Sequence, residues 1–166
     1  DLIKRVKLFS FLAGYQQTEV RAQDPVNIKA AEEMGKIHDE LKEYGYDKHE
    51  LEQYLVRILF CLFADDTTRF NKNQFYEYIS QSNEDGSDLA MHLAQLFEVL
   101  NTPVERRMRS LPEDLQAFPY VNGQLFSEHL TMPGFTSNMR DQLLSCCRLD
   151  WGQVSPAIFG SMFQSV

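Results

Sequence analysis

The sequence predicts an all-α domain of five or six helices packed around one core, with a small hairpin-like excursion near residues 118–128. In several segments apolar residues recur every three or four positions, which is the period of one helix face. Capping residues, glycines and prolines separate these segments. A chain of 166 residues corresponds to one domain and can bury a sizeable core.

The first predicted helix covers about residues 26–44, after Asp24-Pro25, a typical helix start. Gly45 is the residue type expected just beyond the end of a helix. The opposite face carries charges of both signs, Glu33 among them, and we expect it to be solvated. The inward stripe is Ala30, Met34, Ile37, Leu41 and Tyr44.

The second predicted helix covers about residues 48–64 and gives the clearest signal in the chain. Asp47 followed by Glu50 resembles a capping box, in which each side chain accepts a hydrogen bond from the main chain of the other residue. We expect this helix to be the most buried one, with four residues at its centre in the core: Leu55, Ile58, Leu59 and Leu62.

Further helices are predicted over residues 72–80 and 88–100 and from Ser137 onward. Ser87 is the expected cap of the second of these, and Pro103 ends it. The last should turn Met139, Leu143 and Leu144 inward. After a break at residues 150–152, Ser155-Pro156 predicts the start of another helix.

Residues 103–136 differ in character, since they contain four of the six prolines. Asn122-Gly123 lies between two short apolar pairs, Tyr120-Val121 and Leu125-Phe126, which is a signal for a tight hairpin. The predicted excursion from the helical pattern is therefore placed here.

The composition narrows the functional classes. A net charge of −8 and a pI of about 5.0 argue against a free-standing nucleic-acid binder. No apolar run reaches the length of a membrane span, and the first residues do not resemble a signal peptide, so we expect a cytoplasmic protein. Both ends of the sequence are apolar, which predicts a piece of a longer polypeptide.

Candidate chemistry is sparse. Cys61, Cys146 and Cys147 form no CxxC pair, so we expect reduced thiols without a metal. Asp65-Asp66 could bind a divalent cation, but a solvated helix end is the favoured interpretation. The four histidines show no metal-binding spacing. We therefore predict no catalytic, cofactor-binding or metal-binding residue in the chain.

One locally basic cluster is present, formed by Arg106, Arg107 and Arg109. Three arginines in four residues could contact DNA phosphates. Pairing with nearby acids such as Glu105, Glu113 and Asp114 is the favoured alternative, given the acidic composition of the whole chain.

Five strings in order carry a resemblance to a known family: DPVNIKAAEEMGKIHDELKEYGY, LVRILFCLFADDTTRF, LAQLFEVLNTP, FPYVNGQLF and LDWGQVSPAIFGSMFQSV. They resemble the single-polypeptide Type II restriction–modification enzymes, which fuse an endonuclease, a DNA adenine methyltransferase and a target-recognition region. The resemblance covers nearly the whole chain, and it implies that the chain is the helical spacer between nuclease and methyltransferase.

The resemblance also implies three regions. Residues 1–15 would be the tail end of the nuclease side, residues 16–149 the helical spacer domain, and residues 150–166 the entry helix of the methyltransferase. S-adenosylmethionine, a divalent metal and DNA are implied for the full-length enzyme. The cofactor and catalytic motifs of the family are absent from this segment, so no catalytic residue carries over. The alternative is a helical protein–protein interaction module.

Overall fold

The structure is a computed structural model that describes residues 25–153. In this range six α-helices and two short 3₁₀ turns follow one another, and no strand is present, which confirms the predicted all-α class. None of the helices in this range has the length and apolar character needed to cross a membrane. The predicted tail 1–15 and the helix opening at Ser155-Pro156 lie outside the described residues. The α-helices are α1 (Pro25–Glu43), α2 (Lys48–Asp66), α3 (Gln74–Ser80), α4 (Leu89–Leu100), α5 (Glu113–Gln116) and α6 (Ser137–Cys147), and the 3₁₀ turns are Val104–Arg106 and Trp151–Gln153.

The apolar stripe of α1 is buried as predicted, except at its end. Tyr44 is 65% exposed because the helix ends one residue earlier, so its placement in the stripe was wrong. Gly45, with φ of +84°, closes the helix, and the Tyr46 amide donates to the Leu41 carbonyl. This backbone arrangement satisfies the last carbonyls of the helix. The buried stripe residues are Ala30, Met34, Ile37 and Leu41.

The charged face of α1 is less solvated than predicted. Glu33 is buried, and its carboxylate contacts the ammonium groups of Lys29 at 3.0 Å and Lys36 at 3.2 Å. Burial acts to raise the pKa of Glu33, but the hydrogen bonds from the two lysines outweigh it and leave the pKa below its usual value. The helical spacing i, i+3 and i+4 makes this cluster geometrically natural.

Helix α2 is the central core element, as predicted. Its residues Leu55, Ile58 and Leu59 are fully buried, and α1, α3 and the Trp151–Gln153 turn all pack against it. The Asp47 side chain caps the helix by accepting from the amides of residues 49 and 50. The reciprocal hydrogen bond of the expected capping box, from the Asp47 amide to the Glu50 carboxylate, does not form.

The Glu50 carboxylate has a more distant partner instead. It accepts hydrogen bonds from the amide of Thr131 at 2.9 Å and from its hydroxyl at 3.0 Å. The Tyr46 hydroxyl also donates to the carbonyl of Thr131. The start of α2 therefore fastens a segment that lies about eighty residues later in the chain.

Helices α3 and α4 lie close to their predicted positions. Helix α3 begins at Gln74, two residues later than predicted, after Asn73 in a left-handed conformation with φ of +60°. The prediction that Ser87 caps α4 was wrong, because Asp88 occupies the cap position without a side-chain cap bond. Ser87 instead donates its amide to the carboxylate of Asp85 at 2.9 Å.

Residues 101–136 form the excursion, but it contains no strand pair, so the expected hairpin character is not seen. Gly123 has a positive φ of +127°, and the Val121 amide donates to the Leu100 carbonyl at 2.8 Å, which ties the segment to the end of α4. Only α5 and one 3₁₀ turn interrupt the irregular backbone. Apolar side chains still anchor the segment to the core: Leu115, Phe118, Phe126, Leu130 and Phe135.

Helix α6 returns the chain to the core. The hydroxyl of Thr136 caps it by accepting from the Met139 amide at 3.2 Å. Met139 and Leu143 are buried as predicted, whereas Leu144 is half-buried. Helix α6 packs against both α1 and α3.

Candidate nucleic-acid interface

The structure separates the three arginines of the basic cluster. The guanidinium group of Arg107 donates to four main-chain carbonyls, those of Thr102, Gln116, Phe118 and Val99, at 2.7 to 3.1 Å. Four of its five N–H groups are thus engaged. Arg107 holds the irregular segment together and has little capacity left for a phosphate, which removes it from the candidate contacts.

Arg106 and Arg109 lie on the surface on either side of it. Both are exposed, and neither guanidinium group makes a hydrogen bond or ion pair within residues 25–153. The expected pairing with nearby acids is therefore not seen in the described part of the chain. Met108 between them is 75% exposed. Two free guanidinium groups on an exposed loop are chemically suited to phosphate oxygens.

Asp65 has a structural role rather than a solvated one. It is only 6% exposed, and its two carboxylate oxygens accept from the amides of Phe75 at 2.9 Å and Tyr76 at 3.2 Å. It thereby caps the first turn of α3 from the end of α2. Burial raises the pKa of Asp65, although both hydrogen bonds oppose the shift. The expectation of a solvated carboxylate was wrong for this residue.

Asp66 fastens the last described turn to the core. Its carboxylate accepts from the Trp151 amide at 2.8 Å, while the Trp151 indole donates to the Cys146 carbonyl at 2.8 Å. Trp151 is fully buried. Burial also raises the pKa of Asp66. Within residues 25–153, no group of three or more His, Cys, Asp or Glu side chains is placed to hold a metal ion.

The cysteines are not engaged in disulfides. Cys61 and Cys146 are buried and Cys147 is half-buried. Burial raises the pKa of all three thiols, to about 12 for Cys146. Since the thiolate is the reactive form, these groups are poor nucleophiles near neutral pH.

The histidines do not converge on one site. His38 is buried in α1 with its ring 3.2 Å from the carboxylate of Asp39, and His92 lies 3.7 Å from Asp88. His49 lies 3.6 Å from the carboxylate of Glu128, near the exposed His129.

Two family models match the chain. The model described as "MmeI, helicase spacer domain" matches residues 49–126, and the one described as "MmeI, N-terminal domain" matches residues 1–44. The solved structure of the Type IIL restriction-modification enzyme MmeI in complex with DNA is 61% identical, with a TM-score of 0.77 over 86% of this chain and 19% of that chain. The chain belongs to the MmeI family of restriction–modification enzymes.

A second relative of this chain is DNA methyltransferase A of Bacillus subtilis (strain 168). It is 39% identical over an alignment of 163 residues, and the match covers 94% of this chain and 18% of the relative. The chain thus spans about a fifth of the length of the proteins it matches. Its described residues include the spacer domain of an MmeI-type enzyme.

The boundary between the two family models falls in the turn between α1 and α2. The structure does not separate two bodies there, because α1 packs against both α2 and α6. Helix α1 is therefore part of the same core as the spacer, although it belongs to the stretch that matches the N-terminal domain.

Sequence reasoning missed two further arginines, which hold loop backbone elsewhere in the described residues. Arg57 donates to the carbonyls of Leu125 and Glu128, and Arg140 binds the Ser82 hydroxyl and the carbonyls of residues 80 and 82. Both are buried. The available signal was position, because Arg57 interrupts the apolar run LVRILF and must place its charge inside the core.

Proposed function

We propose that this chain is a non-catalytic helical connector that positions the endonuclease and the S-adenosylmethionine-dependent DNA adenine methyltransferase domains of an MmeI-type enzyme. One observation supports this role above the others. The first and last elements of the described range, α1 and the Trp151–Gln153 turn, are both packed into one core around α2.

At the nuclease side, the connection is a long packed helix. Helix α1 buries Met34, Ile37 and Leu41 against α2 and α6, and its end is closed by the backbone bonds around Gly45. A segment entering through this helix has its direction fixed, because rotation of α1 would expose the whole apolar stripe to water.

At the methyltransferase side, the connection is one anchored tryptophan. Trp151 is held by its indole, which donates to the Cys146 carbonyl, and by its amide, which donates to Asp66. Both partners lie at the ends of packed helices, α6 and α2. The chain therefore leaves the domain from a fixed point rather than from a flexible linker.

Fixed entry and exit points suit two catalytic domains that act on one bound DNA. A rigid element holds their relative geometry within the narrow tolerance that catalysis requires, whereas a Gly/Ser-rich linker does not. S-adenosylmethionine and the divalent metal would bind to other parts of the full-length enzyme. Arg106 and Arg109 would contact the DNA backbone between the two domains.

The connector role can be tested in the full-length enzyme. A flexible Gly/Ser segment of about ten residues, with a mean span of about 17 Å, is inserted after Gln153. The control carries the same segment after Gly123, at the exposed tip of the excursion. Cleavage positions are then measured relative to the methylated adenine. We expect dispersed cleavage only for the insertion after Gln153.

An unchanged cleavage position with the insertion after Gln153 would refute the connector role. If the cleavage position is unchanged but the insertion releases a bound protein, the alternative of a protein–protein interaction module is favoured. The DNA contact is tested separately with Arg106→Gln and Arg109→Gln together. If both touch phosphates, the dependence of DNA affinity on salt becomes shallower by about one unit per contact. An unchanged slope removes these contacts.

A further inference from the structure

The two long helices of the core lie side by side and run in opposite directions. Helices α1 and α2 each contain 19 residues, and only residues 44–47 join them. The two helices pack against each other, so they form a helical hairpin. In such a hairpin the first turn of one helix lies beside the last turn of the other. The start of α1 at Pro25 therefore lies near the end of α2 at Asp66.

Helix α6 also runs antiparallel to α1. At the beginning of α6, the side-chain amides of Asn138 and Gln142 donate to the Glu40 carboxylate near the end of α1, at 2.9 and 2.6 Å. Near the end of α6, Cys146 instead lies close to Glu33. Burial raises the pKa of the Cys146 thiol to about 12, and the charge of Glu33 adds to the increase. The contacts thus move toward the start of α1 as the chain proceeds along α6.

The Trp151–Gln153 turn, which follows α6, meets both helices of the hairpin. It approaches α1 and α2 with Cα–Cα distances of 8 Å or less. The Trp151 amide donates to the carboxylate of Asp66, the last residue of α2, at 2.8 Å. A Cβ atom on Gly152 would lie 3.4 Å from the Asp66 carbonyl oxygen, so this residue also lies against the end of α2. The described chain therefore leaves the domain at the end of the hairpin where it enters.

The opposite end of the hairpin is built differently. It holds the turn at Gly45 and the Thr131 main chain, to which Tyr46 and Glu50 are bound. The described range neither begins nor ends there. A helix of 19 residues is about 28 Å long, so the Gly45 turn is separated by about that distance from the start of α1.

We infer that the nuclease-side and methyltransferase-side segments join this domain side by side at one end, formed by the start of α1, Asp66 and the Trp151–Gln153 turn. We call this the joint end. Domains whose two ends lie close together can branch from a polypeptide as side modules. The inference rests on the proposed connector role, which identifies the two neighbours. It adds that the spacer holds its neighbours next to each other and does not separate them by its own length.

Distances between pairs of spin labels test the joint end in the 166-residue chain. One label is placed at Gln153 and the other at Glu32 or, as the matched control, at Glu43. All three residues are exposed. Glu32 and Glu43 are eleven positions apart, which is about three full turns, so both lie on the same face of α1. The labels are attached to a ketone-bearing amino acid, which leaves the native cysteines unmodified.

We expect the distance from Gln153 to Glu32 to be shorter than that to Glu43 by about 10 Å, because Glu43 lies about 16 Å farther along the helix axis. Electron–electron double resonance measures both distances. The same difference is expected in the full-length enzyme bound to DNA. Equal distances, or a shorter distance to Glu43, overturn the inference.

Cross-linking of the unsubstituted full-length enzyme gives a second measurement. With a short lysine-specific reagent, lysines that precede α1 should cross-link to lysines that follow Gln153. Lys42 and Lys48 flank the Gly45 turn and are exposed, so they are the internal controls and should not form these cross-links. Cross-links to the segment after Gln153 that form as often from Lys42 and Lys48 overturn the inference.

The cleavage-position experiment fails or succeeds independently of these results. Dispersed cleavage together with equal label distances rejects the joint end alone. The expected label distances together with an unchanged cleavage position reject the connector role.

Discussion

The helical framework of α1, α2 and α6 and the irregular segment 101–136 are stabilised by different means. The helices satisfy their own carbonyls and need only bury an apolar stripe. The irregular segment pairs only part of its main chain internally, through α5, one 3₁₀ turn and isolated turns, and arginine side chains supply further donors: Arg107 binds four carbonyls and Arg57 two. Irregular backbone that packs on a core requires side chains rich in hydrogen-bond donors.

The same device recurs at the loop between α3 and α4. Arg140 of α6 donates to the carbonyls of Ser80 and Ser82 and to the Ser82 hydroxyl, all at 2.9 to 3.1 Å. None of these three arginines forms an ion pair with a carboxylate within residues 25–153. They act as forked donors to the main chain, a geometry that lysine cannot reproduce.

The largest expected effect lies in the framework. Leu59→Ala removes a fully buried side chain from the centre of α2 and leaves a cavity. We expect the free energy of unfolding to fall by about 2–5 kcal/mol, measured by chemical denaturation. Gln53→Ala on the half-buried side of the same helix is the control and should change stability by less than about 0.5 kcal/mol. Equal effects of the two substitutions would contradict this account of the core.

A somewhat smaller effect is expected in the irregular segment. Arg107→Met keeps the apolar stem but removes the side-chain donor from four main-chain carbonyls, of which only that of Val99 keeps another donor, the Thr102 amide, so stability should fall by about 2–3 kcal/mol. Arg107→Lys should recover little of this loss, because one ammonium cannot reach all four carbonyls. The neighbouring Arg106→Met is the matched control and should be nearly neutral. A neutral Arg107→Met would show that the forked contacts are dispensable.

A third substitution tests the contact between the loop that joins α3 to α4 and the end of the irregular segment. A Cβ atom at Gly86 would lie 2.6 Å from the carbonyl oxygen of Thr136, and its φ of +76° is unfavourable for other residues. We expect Gly86→Ala to cost about 2 kcal/mol. Gly45→Ala has a similar φ of +84° but nothing within 4 Å, so it should cost only about 1 kcal/mol. Similar losses for both glycines would mean that the close contact with Thr136 is relieved at no cost.

The smallest effects concern pH, and two carboxyls should give opposite signs. The pKa of Asp65 is raised by burial, so its contribution to stability is present below about pH 3.8 and declines as the pH rises through the raised value. The pKa of Glu33 is lowered, since its two lysine hydrogen bonds outweigh burial. Its contribution is present above pH 4.5 and is lost as the pH falls.

These signs can be read from two isosteric variants. Relative to that of the unsubstituted chain, the stability of the Asp65→Asn variant should increase as the pH rises. The relative stability of the Glu33→Gln variant should increase as the pH falls. Urea denaturation at a series of pH values measures both trends. Parallel slopes for the two variants would contradict the assigned environments.

The framework could be predicted from the sequence because its determinants are local. Periodicity and caps placed the helices within about two residues, and the core residues of α2 were identified correctly. Tyr44 and Ser87 were misplaced because a helix end one residue away changes which side chain faces inward or caps.

The contacts that fasten the irregular segment and Trp151 to α2 could not be predicted because they are distant in sequence. Glu50 meets Thr131, Arg57 meets Leu125, and Asp66 meets Trp151, in each case across more than sixty residues. No spacing rule connects such positions. The division of the arginine cluster has a different cause. The carbonyls that bind Arg107 lie only five to eleven residues away, but no periodic rule predicts which side chain of an irregular backbone turns toward them.

Native-state hydrogen exchange tests most directly whether residues 25–153 form one rigid unit that includes both connections. We predict that the most protected amides of α1, the Trp151 amide and the amides around Leu59 exchange through the same global opening. Leu59→Ala should then lower all three opening free energies by an equal amount. Exchange of α1 or of Trp151 through a lower-energy opening that Leu59→Ala leaves unchanged would contradict the rigid connector.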